Sequence, residues 1–102
     1  MDFFAENATY QDPRQDLVGR EALAQRFHGE ARPERSELRI TNIAENGDVV
    51  LVEHALIQEF AQFRVEVAAM SAFDLHEGKI TRWALYVDLG EIARQAGSPG
   101  DW

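Results

Sequence analysis

From Ser36 to Leu89 the chain is a succession of long β-forming runs joined by short turn signals, and this feature constrains the fold most. Residues 36–45 begin by alternating, with Leu38 and Ile40 on one side and Glu37, Arg39 and Thr41 on the other. Asn46-Gly47 comes next, a dipeptide that accepts positive φ and closes tight hairpins. Residues 49–60 open on Val49, Val50, Leu51 and Val52, and residues 63–75 form the longest run. Glu77-Gly78 marks a second tight turn, and residues 79–89 make the last strand, followed by a short helix or turn over 90–96. Strands joined by such short turns run antiparallel, because a parallel return needs a crossover of a dozen or more residues. The pattern predicts four long strands in an antiparallel meander.

The upstream third reads differently. Thr9-Tyr10-Gln11 is a short strand stopped by Asp12-Pro13, since proline donates no ladder hydrogen bond and biases the residue before it away from helix. Phe3, Phe4 and Ala8 before it would end a helix or anchor a loop. Residues 19–28 predict a helix: Leu23 and Phe27 share a face, Glu21 sits in the first turn, Arg26 and His28 in the last, and Gly29 can cap it. Residues 29–35, with Pro33, make a loop. Long strands with a helix segregated at one end give an α+β domain, and a strongly twisted antiparallel sheet of this kind can curl around a cavity as a cone or half-barrel. A length of 102 residues suits one domain, expected over 1–97, with 98–102 a flexible tail unless Trp102 docks.

Composition narrows the function. Eighteen acids against ten bases give a net charge of −8, with ten acids and six bases in residues 1–51 and eight and four in residues 52–102. No basic stripe exists and Lys79 is the one lysine, so nucleic-acid binding is disfavoured, and a neutral apolar small molecule suits the field better than an anion. There is no cysteine, and the three histidines are scattered without ligand spacing, so neither a metal nor any other cofactor is expected. Met-Asp-Phe-Phe at the start is neither a basic leader nor an apolar span, so no membrane association is expected and the compartment predicted is the cytoplasm.

Strand alternation sorts the long runs into two faces. One carries Val65, Val67, Ala69, Ser71, Phe73 and Leu75, with Trp83, Leu85 and Val87, and is assigned to the core or a pocket. The other carries Ala68, Met70, Ala72, Ala84 and Tyr86 in its middle. That face is less polar than a solvated one, and it is either a partly covered surface or the contact of a homodimer. His54 lies in an apolar strand. If it shares the face of Leu56 it points into the cavity, where it could pair with Asp12; a hydrogen-bonded structural histidine is the alternative.

Phe4-Ala5-Glu6-Asn7-Ala8-Thr9-Tyr10-Gln11-Asp12-Pro13 with Val18-Gly19-Arg20-Glu21-Ala22-Leu23 resembles the entry segment of SnoaL-like domains, of the nuclear transport factor 2-like superfamily. Phe73-Asp74-Leu75-His76-Glu77-Gly78-Lys79-Ile80-Thr81-Arg82-Trp83 resembles their penultimate hairpin. The resemblance implies a curved antiparallel sheet with helices in its mouth, on a fold that hosts isomerases, cyclases, hydrolases, dehydratases and non-catalytic modules. The ketosteroid isomerase branch implies a general base at Asp12, before Pro13, while of its two oxyanion donors the tyrosine has no counterpart and the aspartate falls near Ser71. The limonene-epoxide hydrolase branch places Tyr10 on a water-holding tyrosine and Asp12 on an asparagine, but His54 on an arginine and Leu56 and Leu85 on carboxylates, which disfavours epoxide hydrolysis.

The expected catalytic set is therefore Asp12, His54 and Tyr10, with Leu56, Val67, Ala69, Ser71, Phe73, Trp83 and Leu85 lining a ligand cavity. The bland alternatives are an Asx-turn at Asp12, core roles for Tyr10, Phe73 and Trp83, and a non-catalytic dimerisation or accessory module. The resemblance also implies a further helix ahead of Phe3-Phe4, at whose tail this chain begins. One helix at 19–28 would then cover the mouth, and the expectation is a partner chain there, a collapsed cavity or a truncated start.

Overall fold

The computed structural model describes residues 3–29 and 34–97. It contains β1 (Phe4–Asp12), β2 (Gln15–Val18), α1 (Arg20–Gly29), β3 (Arg35–Asn46), β4 (Val49–Glu59), β5 (Arg64–His76), β6 (Lys79–Val87) and α2 (Leu89–Ala96). The strands form one open, curved sheet in the order β2-β1-β6-β5-β4-β3. β3 to β6 are the expected meander. At Glu77 and Gly78 both φ angles are positive, 51° and 80°, the backbone that a two-residue hairpin turn needs to match strand twist. Strands of up to 13 residues, rising about 3.3 Å per residue, account for a molecule 42 Å long and 21 Å thin.

The upstream third departs from expectation. β1 runs from Phe4 rather than Thr9, and β2 is an unexpected strand that pairs antiparallel with β1 around Pro13-Arg14. β1 lies parallel to β6, with Tyr10 opposite Trp83, so the sheet is mixed rather than wholly antiparallel. The intervening chain, α1 and the β3–β5 meander, is the long crossover that such a pairing requires. Phe4 packs on the strand it joins, its ring tilted 34° to that of Trp83 at 6.2 Å, which explains why an apolar start extends the strand instead of ending a helix.

α1 forms where expected, but it packs on β1 and β2 and does not lie across β4, β5 and β6. The helix expected to cover Leu56, Val67, Phe73, Trp83 and Leu85 therefore does not do so. The short link from β2, through Gly19 at φ 98°, holds α1 at that end of the sheet, where the Gly19 amide donates to the Ala8 carbonyl at 2.7 Å. Leu23 and Ala8 are both fully buried there. The side chains of Phe27 and His28, the loop around Pro33 and the tail over 98–102 with Trp102 lie outside the described residues.

Of the short helix or turn expected over 90–96, the structure has the helix, α2. Asp88 caps it, accepting from the Glu91 amide at 3.2 Å, and Gly97 closes it in the left-handed conformation. β6 ends at Val87, opposite Ala69, so the first part of β5 has no strand partner on that side. Gln95 fills the gap: its Oε1 accepts from the Glu66 amide and its Nε2 donates to the Glu66 carbonyl, both at 2.7 Å. A primary amide side chain thus makes the hydrogen bonds of one strand residue.

The buried set includes Tyr10, Leu23, Val52, Ile57, Val65, Val67, Ala69 and Ala93. Val65, Val67, Ala69 and Ser71 alternate with exposed Arg64, Glu66, Ala68 and Met70 along β5, as the sequence predicts. Leu23→Ala removes the largest fully buried side chain among the described residues and should lower stability by about 2–5 kcal/mol, read from the shift in the urea unfolding midpoint at constant slope.

Candidate functional site

The register puts one residue set on an inner face: Tyr10 of β1, Trp83 and Leu85 of β6, Phe73, Ser71, Ala69 and Val67 of β5, and Val52, His54 and Leu56 of β4. Leu38, Ile40 and Ile43 of β3 continue it, opposite Leu56, His54 and Val52. Burial falls off along this row. Val67, Ala69, Ser71 and His54 are buried, while Leu56, Phe73, Trp83 and Leu85 are half-buried. Leu38, Ile40 and Ile43 are 52%, 52% and 58% exposed. The inner face is an apolar wall closed at the β1 end and open towards β3.

Trp83 organises the closed end. The Tyr10 ring meets it edge-on at 4.8 Å, and the Phe73 ring stacks at 5.7 Å. Its indole Nε1 donates to Ser71 Oγ at 3.1 Å. The same Oγ lies 2.9 Å from His54 Nε2. Three strands thus contribute one buried polar chain, His54–Ser71–Trp83. His54 is 3% exposed, and its other ring nitrogen, Nδ1, is buried without a hydrogen-bond partner among the described residues. Burial pushes the imidazole pKa below its ordinary value of 6.5, so the ring is neutral at neutral pH.

Asp12 ends β1 at the start of the β1–β2 turn. Its Oδ1 accepts from the Arg14 amide at 2.7 Å and the Gln15 amide at 3.1 Å, the arrangement of an Asx-turn. Its Oδ2 accepts from the Tyr10 hydroxyl at 2.7 Å, with Gln15 Nε2 at 3.4 Å. Burial works to raise the Asp12 pKa, but the donations from Tyr10, Arg14 and Gln15 prevail and hold it below its ordinary 3.8. Tyr10 and Asp12 are thus brought together, as their spacing on one strand face allows. His54 is not hydrogen-bonded to Asp12; Ser71 is its partner.

The sequence puts Ser71 near an aspartate donor position and on the cavity lining; its bridge between His54 and Trp83 goes beyond that. The usable signal was a serine in a buried face with a histidine and a tryptophan on flanking strands. A surface hollow of about 550 Å³ lies between Glu6, Val18–Ala22 and Gln25, at the α1 end, and none of the residues expected to line a cavity borders it. Among the described residues no group of three or more histidines and carboxylates is placed to hold a metal ion. Among the same residues no helix is long and apolar enough to cross a membrane.

The titration of His54 gives a stability prediction. Unfolded, the ring takes a proton near 6.5; folded, it resists until lower pH. The unfolded chain therefore binds more protons below that value, and folding stability falls as pH drops through it. The thermal midpoint should decline as pH is lowered below about 6.5. In His54→Phe that part of the decline should be absent.

The sequence profile of the SnoaL-like domain matches residues 1–83. No curated protein matches the sequence significantly. Solved structures are similar in fold. A protein with a ketosteroid isomerase-like fold from Catenulispora acidiphila, in complex with trimethylamine, is 24% identical, with TM-score 0.86 over 99% of this chain and 82% of that one. An LEH-like epoxide hydrolase of M. tuberculosis is 22% identical, with TM-score 0.75 over 94% and 76%. A candidate SnoaL-like polyketide cyclase from Jannaschia sp. CCS1 is 20% identical, with TM-score 0.79 over 96% and 76%. At these identities the likeness is one of fold, and it agrees with the mixed, curved sheet and its short helices. With most of its length matched by the profile, the chain belongs to the SnoaL-like domain family and has the nuclear transport factor 2-like fold.

Proposed function

We propose that the inner face binds a neutral, largely apolar organic molecule, as a cytoplasmic small-molecule-binding domain. The observation that carries this reading is the ring nitrogen Nδ1 of His54, buried without a partner among the described residues in a largely apolar wall. An unmet buried polar group costs roughly 1–3 kcal/mol, and a ligand atom bonded to it returns that cost on binding. Val67, Ala69, Leu56 and Leu85 supply apolar contact, and Phe73 and Trp83 supply aromatic surface. The Catenulispora neighbour, described with trimethylamine, supports a binding role for a protein of this fold.

The catalytic form of the reading gives Asp12 the part of general base in an isomerase- or cyclase-type proton transfer. Its carboxylate is ionised at neutral pH and held beside Tyr10 at one end of the wall. Its donors stabilise the charged form and so reduce its affinity for a proton, which makes binding the primary function here and proton abstraction the secondary one. In an unsaturated ketone panel, Asp12→Asn should retain binding and lose about 100-fold or more in turnover. Equal turnover in the two proteins would remove the base and leave the binding site. An unbiased mass-spectrometric survey of native protein should find a neutral small molecule retained by wild type and depleted in His54→Phe. Finding none in either would count against the binding reading.

The outer face is proposed as a homodimer contact. Ala68, Met70 and Tyr86 lie together there, with exposed Leu51 beside Ala72, and Met70 and Tyr86 are cross-strand partners, both exposed; Ala72 and Ala84, expected in the contact, are already buried within the chain and add no surface to it. Three ion pairs lie on this side, Arg39 with Glu37, Arg64 with Glu66 and Arg82 with Asp74, while Glu53 accepts from the Asn42 amide. Local pairing limits the repulsion that a net charge of −8 would impose between two copies. Sedimentation should give a dimer for wild type and a monomer for Met70→Lys. A monomeric wild type at high concentration would reject this contact.

A further inference from the structure

We propose that the Trp83–Ser71–His54 relay fixes His54 as an Nδ1–H donor and so selects ligands that present an acceptor oxygen, such as a ketone or ether, to the inner face. This rests on the binding reading above and adds the hydrogen-bonding polarity of the ligand.

The argument is one of proton accounting. The indole Nε1 of Trp83 can only donate, so its contact with Ser71 Oγ, at 3.1 Å, makes the serine oxygen an acceptor. The serine has one hydrogen of its own to place. Among the described polar atoms, His54 Nε2 at 2.9 Å is the partner the structure gives it. If Ser71 donates to Nε2, that nitrogen carries no hydrogen and the neutral ring holds its proton on Nδ1. Trp83, Ser71 and Nε2 are then all satisfied, and Nδ1–H alone lacks an acceptor. In the opposite arrangement, Nε2–H donates to a serine that already accepts from Trp83. The serine hydrogen is then left over, and Nδ1 lacks a donor as well. The first arrangement leaves one unmet group and the second leaves two, in a setting where each is costly. Burial of the ring keeps it neutral, which the relay requires.

The ring itself is 3% exposed, so a ligand must part the side chains over it to reach Nδ1. The register sets Ile40 directly opposite His54, and Ile40 is 52% exposed, so we place that approach on the β3 side. Asp12, the other inner-face polar site, already accepts four donations and supplies no competing acceptor bonded to His54. Ser71 and Trp83 are in this account positioning residues: they act on the ligand through the imidazole.

Two measurements on the full chain test it. Nitrogen-15 NMR of the histidine side chains at neutral pH should show His54 with a protonated Nδ1 and a bare Nε2. Ser71→Ala should bring in the Nε2–H form, and Ser71→Thr, which keeps the hydroxyl, should restore the wild-type spectrum. A wild-type ring protonated on Nε2 overturns the proposal, as does a Ser71→Ala spectrum identical to wild type in a folded protein. The second measurement compares acetophenone with ethylbenzene, which match in shape and differ in the acceptor. His54→Phe should weaken acetophenone about tenfold more than ethylbenzene. Equal losses overturn the ligand polarity even if the tautomer is as expected. Failure of both probes to bind wild type rejects the binding reading itself and the selectivity with it, while the spectra still decide the relay.

Discussion

Trp83 is the contact on which the rest of the molecule depends. Its ring meets Phe4 and Tyr10 from β1 and Phe73 from β5, and its indole N–H enters the polar chain that crosses to β4. Those contacts fasten the one parallel strand, β1, to the antiparallel meander. Parallel pairing has no hairpin to enforce it, so the register of β1 needs side-chain contacts to hold it. The aromatic cluster provides them, and the same packing aims the indole nitrogen at Ser71. Architecture and site chemistry therefore share one side chain.

The meander was legible because its signals are local. The Asn46-Gly47 signal, whose turn falls one residue later at Gly47-Asp48, the Glu77-Gly78 turn and the alternation of Val65, Val67, Ala69 and Ser71 each act within a few residues of sequence. β1 and β2 were not legible in the same way. Phe4 to Ala8 gains its strand conformation from β6, more than 70 residues away, and no nearby residue records that partner. The placement of α1 on β1 and β2 likewise follows from the short link through Gly19, whereas the expectation of a mouth-covering helix came from family likeness. At the site, Tyr10 and Asp12 sit two apart on one strand face, so their proximity could be read directly. The bond between His54 and Ser71 could not, because it joins diagonal neighbours across β4 and β5 and depends on the register.

The two titratable side chains singled out on the inner face, Asp12 and His54, are settled to different degrees. Asp12 is saturated by its own turn and by Tyr10, an arrangement that stabilises charge and rigidity. His54 is held from one side only. A carboxylate with its acceptors filled is well suited to anchoring a hairpin, while an imidazole with an idle nitrogen is suited to recognition. The fold has placed the first at the end of the wall and the second in its interior, towards the open β3 side.

Gln95 has a consequence that concerns the sheet more than the helix. By making both backbone hydrogen bonds of Glu66, it conceals a third sheet edge in addition to those of β2 and β3. That concealment rests on one flexible side chain and a helix of eight residues. When α2 lifts away, the early part of β5 becomes an unpaired strand beside Val65 and Val67, able to accept an extended segment from another chain. The protection of the Glu66 amide against hydrogen exchange is therefore a direct gauge of how often this sheet is open to strand exchange.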